Sequence, residues 1–201
     1  MTLRKYLTQT EIASMLQMAQ TASRFSKRDY CLLYMSFIHG FRVSETCHLR
    51  LSDLDLNHGS LYIRRMKNGF STTHPLLPQE IAVIHAWLAE RTALRGADSD
   101  WLFLSRHGGP LSRQRVYQII QALGEKANIA VVSHPHMLRH ACGFALADRG
   151  VDTRLIQDYL GHRNIRHTVR YTASNAARFQ GIWWSESDQK KLHLGPNCKP
   201  M

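Results

Sequence analysis

Apolar positions along the chain change period several times, and each change predicts an element. Thr8-x-x-Glu11 forms a capping box, and Ile12, Met15, Leu16 and Ala19 follow at helical spacing, so an amphipathic helix opens the chain. The segment from Tyr30 to Ile38 is almost wholly apolar and stops at Gly40, the pattern of a buried central helix closed by glycine. Arg42 lies just past that stop and enters a short third helix running through Glu45 to Leu49. After the turn residues Asn57-His58-Gly59 the period becomes two at Leu61, Ile63 and Arg65, and Asn68-Gly69 is a strong hairpin signal. The pattern predicts a small three-stranded antiparallel sheet with Lys67 at its tip.

Helical spacing returns behind Pro78, with Ile81, Ile84 and Leu88 on one face. Trp101-Leu102-Phe103-Leu104 is a short apolar strand or extended segment, followed by a glycine-rich loop from Arg106 to Pro110. Ser112 caps a helix through Leu123, and Pro135 starts another that carries Leu138, Ala141, Phe144 and Ala145. A last helix, Thr153 to Leu160, is closed by Gly161. With no repeat or linker in 201 residues, these elements predict a single α+β domain, mainly α with a small antiparallel β-sheet.

Charge narrows the choice of partner. Twenty-six Lys and Arg against 15 Asp and Glu give a formal charge of +11, which favours a polyanion such as nucleic acid. The cations are scattered through folded segments and not massed in one amphipathic helix, so a membrane surface is a poor fit. No apolar run reaches the roughly 18 residues of a membrane span, and Met1-Thr2-Leu3-Arg4-Lys5 does not begin an export signal. Cys31, Cys47, Cys142 and Cys198 are widely spaced without a Cys-x-x-Cys pair, which suits buried thiols in a reducing cytoplasm.

Four short segments carry groups suited to phosphodiester chemistry: Arg42-Val43-Ser44-Glu45, His136-Met137-Leu138-Arg139-His140, Leu160-Gly161-His162, and Tyr171 nine residues on. His136 and Arg139 are three residues apart and share a helix face, so both can address one ligand. Arg42 and Arg139 present planar forks matching phosphate oxygens and stay charged, so together they can neutralise a pentacoordinate phosphorane without a metal or other cofactor. The bland alternative pairs Arg139 with an internal carboxylate such as Asp148 or Asp158. His136 and His140 also have the i, i+4 spacing of a helical metal pair, but the arginines among them repel a cation and no further ligand follows in register. Tyr171 lies in a basic stretch where Val169 is the nearest hydrophobe, a poor register for a core tyrosine. Cationic neighbours would ease deprotonation of its phenol and make it a nucleophile. Glu45, three residues after Arg42, would orient that arginine or an imidazole; otherwise it is an ordinary helix-surface pair.

The order Arg42, His136-x-x-Arg139, Gly161-His162, Tyr171 resembles the tyrosine recombinase (integrase) family, over a match from about Leu7 to Trp184. Detailed runs such as Ile38-His39-Gly40-Phe41-Arg42 and Asp152 to Val169 are similar to the fimbrial phase-variation invertases of enteric bacteria. The resemblance implies a tyrosine recombinase catalytic domain over residues 1–201, with 185–201 a tail and no N-terminal core-binding domain. It implies Arg42, Lys67, His136, Arg139, His162 and the nucleophile Tyr171 as catalytic residues, with Glu45 and His140 supporting them. Lys67 would be the general acid for the leaving 5′-oxygen, although Phe70 and Thr72 replace further basic residues common in that hairpin. The implied partners are duplex DNA bearing inverted repeats, a synaptic homotetramer and accessory DNA-bending proteins, at the bacterial nucleoid in the cytoplasm. The implied reaction leaves a 3′-phosphotyrosine and inverts a promoter segment that controls fimbriae. A type IB topoisomerase-like enzyme and a non-catalytic DNA-binding regulator are the rival functions. Phe179, Ile182, Trp183 and Trp184 form an apolar cluster that would dock on a neighbouring protomer or on its own domain.

Overall fold

The computed structural model describes residues 4–65 and 69–173. Lys67 and the C-terminal cluster from Phe179 to Trp184 lie outside those residues, as does Cys198. Helix α1 (Gln9–Ala19) begins at the predicted capping box: Thr8 Oγ1 accepts from the Glu11 amide, and the Glu11 carboxylate accepts from the Thr8 amide. Helix α2 (Ser26–Ile38) starts four residues earlier than the apolar run, because Ser26 to Asp29 supplies a polar first turn in which Arg28 and Asp29 pair while buried. Helix α3 (Val43–Cys47) is a single turn that ends two residues short of Leu49.

A three-stranded sheet follows, β1 (Leu54–Asp55), β2 (Ser60–Ile63) and β3 (Thr72–Pro75), in the order β1-β2-β3 and antiparallel throughout. Ile63 pairs with Thr72 at the inner end of the β2–β3 ladder, and Asn68, half of the hairpin signal, lies outside the described residues. Arg65 stands beyond the ladder, where its side chain meets a buried carboxylate and its amide donates to Ser71 Oγ. Leu61, Ile63 and His74 face inward in this register.

Helix α4 (Pro78–Arg91) has its proline in the first turn and buries Ile84 and Trp87. Residues 101–104 are an extended segment with isolated bridges rather than a ladder strand: Trp101 bridges Arg50, and Leu104 bridges Pro110. Buried Arg91 donates to the carbonyls of Ala97, Ser99 and Trp101, and Trp87 Nε1 donates to Leu102, so side chains add to the few backbone bonds that the segment makes with Leu49 and Leu111. Helices α5 (Arg113–Lys126), α6 (Pro135–Asp148), α7 (Thr153–Leu160) and α8 (Arg166–Ala173) complete the described chain, with Ser112 capping α5 and Asp152 capping α7. Among the described residues no helix is long and apolar enough to cross a membrane.

The main core joins α1, α2, α4, α5, the inner face of the sheet and the start of α6. A smaller cluster of Cys142, Ala147, Ile156, Leu160 and Tyr171 ties α7 and α8 to the far half of α6. Between α7 and α8 the chain turns at Gly161, whose φ of +63° favours glycine. A Cβ there would stand 2.9 Å from Arg65 Cγ and 3.0 Å from the Phe70 carbonyl. Gly161→Ala should therefore destabilise the fold by about 1–2 kcal/mol in urea unfolding. A loss below about 0.5 kcal/mol would show that the turn accepts a side chain without moving Arg65.

Candidate active site

A buried carboxylate organises this part of the molecule. Glu45 stands in the first turn of α3, where its Oε2 accepts from the Arg42 amide at 2.8 Å and its Oε1 from Arg42 Nη1 at 2.7 Å. Arg65 Nη1 donates to the same Oε2 at 2.8 Å, with both side chains essentially inaccessible to solvent. Burial works against charge on Glu45, yet Arg65, the two bonds from Arg42 and the nearby Arg139 together hold its carboxyl below the usual range. Glu45 thus takes the orienting role expected of it, and the surface-pair alternative fails because the residue is buried.

Arg65 was not among the residues singled out for chemistry. Its Nη2 donates to the Tyr159 carbonyl at 2.5 Å, near the C-terminus of α7, and toward the His39 carbonyl at 3.4 Å, beyond the end of α2. One side chain therefore links α2, α3, β2 and α7. The signal was its position: in the alternation Leu61, Ile63, Arg65 an arginine occupies the inward register, where a cation must find a buried partner.

Arg139 is buried in the first half of α6 and donates to the carbonyls of Gly40 and Leu160, the latter at 2.6 Å. Burial, followed by repulsion from Arg42 and Arg65, lowers its pKa to about 9, which still leaves it charged at neutral pH. Arg42 remains more open, its side chain 22% exposed, so it is the guanidinium that an incoming anion meets from solvent.

His162 follows Gly161 directly. Its Nδ1 bonds Thr168 Oγ1 at 2.9 Å, and Gln157 both accepts from its amide and donates to its carbonyl, fixing the ring from α7 and α8. Burial, then Arg139 and Arg42, push its pKa down to about 3. His136 is exposed on the first turn of α6, with its ring 6.2 Å from that of His140.

Tyr171 departs from expectation. It is fully buried despite its basic sequence surroundings, because α8 turns it onto α6 while Arg166, Arg170 and His167 take the exposed positions. Phe144 meets its ring edge-on at 5.1 Å and His162 lies 6.4 Å away, centroid to centroid. Burial raises the phenol pKa, with Arg170 and Arg139 opposing. The hydroxyl lies 2.9 Å from His140 Nδ1 and 3.4 Å from Arg170 Nη2, so His140 touches the candidate nucleophile directly.

The fold thus gathers Arg42, Glu45, Arg139, His140, His162 and Tyr171 around one basic recess. Gly69 lies beside it: a Cβ there would stand 3.1 Å from the Gly161 carbonyl and 3.5 Å from Arg42 Nη1. Among the described residues no group of three or more His, Cys, Asp or Glu side chains is placed to hold a metal ion. Behind the recess, His39 Nδ1 lies 3.1 Å from His74 Nδ1 and His39 Nε2 lies 2.8 Å from Glu80, all of them buried.

Three histidines are held neutral here. Burial leads the causes in each, taking His74 and His162 down to about 3 and His140 to about 4. In the unfolded chain the same rings titrate near 6.5, so below that pH the unfolded state binds protons that the folded state refuses. Stability is then fully present above pH 6.5 and is lost as pH falls toward 4. The limiting slope is about 1.4 kcal/mol per pH unit for each histidine. Urea titrations between pH 7.5 and 4.5 should show this decline, and a flat profile would place these rings in water.

The phage integrase family model matches residues 5–178. The type 1 fimbriae regulatory protein FimB of Escherichia coli K12 is 59% identical over 180 residues, covering 90% of each chain. FimE of the same strain is 56% identical over 184 residues, 91% of this chain and 92% of FimE. The crystal structure of the XerA recombinase superposes with a TM-score of 0.75 at 26% identity, covering 94% of this chain and 65% of that one. On this extent of similarity the chain belongs to the phage integrase family and is a tyrosine recombinase.

Proposed function

We propose that this protein cleaves and rejoins duplex DNA at specific sites, with Tyr171 as nucleophile and Arg42, Lys67, His136, Arg139 and His162 as the catalytic set. The observation that carries the reading is the convergence of Tyr171, Arg139, His162 and Arg42 from four separate elements on one basic recess. A phosphodiester entering it meets Arg42 from the solvent side and Arg139 from below, each offering donors to the non-bridging oxygens. His136 and His162 donate to the same oxygens. The Tyr171 oxygen then bonds to phosphorus as the bond to the 5′-oxygen breaks, and Lys67 protonates the leaving group. The product is a 3′-phosphotyrosine with a free 5′-hydroxyl. Its ester bond retains the energy of the DNA linkage, so a different 5′-hydroxyl can attack it and rejoin the strand without ATP.

Similarity to FimB and FimE supports the finer proposal that the substrate is a short promoter segment between inverted repeats, whose inversion switches fimbrial expression. Two synapsed sites require four protomers, for which residues 179–184 are the proposed contact, and DNA-bending proteins would bring the sites together at the nucleoid in the cytoplasm. The net charge of +11 supports binding along the phosphate backbone.

A supercoiled plasmid carrying candidate inverted repeats tests the proposal by reporting inversion and covalent protein–DNA adducts together. Tyr171→Phe should abolish both while leaving gel-shift affinity nearly unchanged; adducts formed by that variant would place the nucleophile elsewhere. Relaxation of the plasmid without inversion would favour a topoisomerase. Arg139→Ala should raise the cleavage barrier by at least about 3 kcal/mol. Loss of its activity together with its circular dichroism spectrum would instead assign Arg139 to folding through Gly40 and Leu160.

A further inference from the structure

Two neighbours of the Tyr171 oxygen determine where its hydrogen points. Arg170 Nη2, at 3.4 Å, can only donate, so the oxygen accepts from it. Of these two neighbours only His140 Nδ1, at 2.9 Å, is able to accept the phenol hydrogen. For that nitrogen to accept, the imidazole must be neutral with its own hydrogen on Nε2. The surroundings enforce this, since burial comes first and Arg170 from α8 with His136, Arg139 and His134 from α6 and its cap all disfavour a second proton.

The seat is built for the tyrosine. Position 143 of α6 is glycine, and a Cβ there would stand 2.6–2.7 Å from the Tyr171 ring atoms. Phe144 closes the edge of the ring. His140, one turn before Phe144 on the same helix, is thereby aimed at the hydroxyl rather than at solvent.

We infer that His140 is a catalytic residue, the general base that takes the phenol proton of Tyr171. The inference rests on the proposed role of Tyr171 and adds the fate of its proton. As the Tyr171 oxygen bonds to phosphorus, its O–H bond breaks and an N–H bond forms at His140 Nδ1. The bond to the 5′-oxygen breaks in the same step, and that oxygen receives its proton from the general acid. In rejoining, an incoming 5′-hydroxyl attacks phosphorus and loses its proton to the acid site, and the imidazolium of His140 returns its proton to the departing phenolate. Phosphate oxygens neutralise Arg139 on binding, which removes part of the repulsion that keeps His140 a weak base. The base therefore strengthens when substrate is in place.

The test uses full-length protein and a nicked duplex from the plasmid's repeats, whose cleaved fragment diffuses away so that each adduct is trapped. A second duplex carries sulfur at the bridging 5′ position, a leaving group that needs no proton. His140→Asn places an amide oxygen where Nδ1 stood, keeping the bond to the phenol but unable to hold its proton; His140→Ala removes both. Single-turnover cleavage by H140N should fall about 100-fold at pH 7 on both duplexes. Its rate should then rise tenfold per pH unit, as ionisation in solvent replaces the base, and added imidazole should partly restore H140A. Cleavage by H140N within threefold of wild type would overturn the assignment, and so would an equal loss at every pH, which marks a positioning role. Rescue of H140N by the sulfur duplex would also overturn it, moving His140 to the leaving-group side. If wild-type protein with normal sequence-specific binding formed no adduct on either duplex, the reading of Tyr171 would fall first and this assignment with it.

Discussion

Three guanidinium groups cannot share a buried recess without a counter-charge, and Glu45 is that charge. It sits between Arg42 and Arg65 and within electrostatic reach of Arg139. Losing one partner of such a buried set typically costs about 3–5 kcal/mol, because the other charges stay behind unpaired. The single carboxylate leaves two positive charges in excess among the three arginines. A phosphodiester brings one negative charge and the pentacoordinate species formed on attack carries two, so the recess is better matched to the transition state than to the bound substrate. This balance is set by the protein's own fixed charges. Arg65, which helps hold Glu45 and the end of α7, contributes to the field without facing the DNA.

The same field accounts for the histidines. A protonated imidazole near Arg139 and Arg42 would raise an already positive recess further, and burial removes the water that could screen it. His162 and His140 are accordingly neutral, each able to offer one donor and one acceptor. Each ring is oriented through its Nδ1 by a hydroxyl partner: Thr168 for His162 and Tyr171 for His140. Thr168 and Tyr171 share α8, so the conformation of one short helix orients both rings.

Elements that depend on local signals were legible in the chain. The capping box at Thr8, the proline starts of α4 and α6, the Ser112 cap and the Gly161 stop each place a boundary through bonds within a few residues. The order of the candidate site residues was legible too, through its resemblance to the tyrosine recombinase pattern. What the sequence hid depends on distant partners. Arg65 is buried through its bond to Glu45, twenty residues earlier, and no local propensity can reveal that. The extended segment at Trp101 is held by Arg91 together with isolated bridges to distant residues. Burial of Tyr171 required knowing that Gly143, on another helix, leaves room for its ring.

That burial bears on how the nucleophile is released for attack. Tyr171 belongs to the small cluster with Cys142, Ala147, Ile156 and Leu160, while the main core lies on the other side of α6. Loosening its ring against Phe144 and Gly143, with the hydroxyl kept on His140, costs at most the burial of one aromatic side chain, roughly 1.5–3 kcal/mol, and leaves α1, α2 and α4 untouched. A cost of that size keeps the tyrosine stowed most of the time, yet contacts with a bound phosphate can supply it. On the proposed roles, the Tyr171 phenol is thus held beside His140 by a cluster weak enough to yield locally, and the rigid core beneath need not move for the phenol to reach phosphorus.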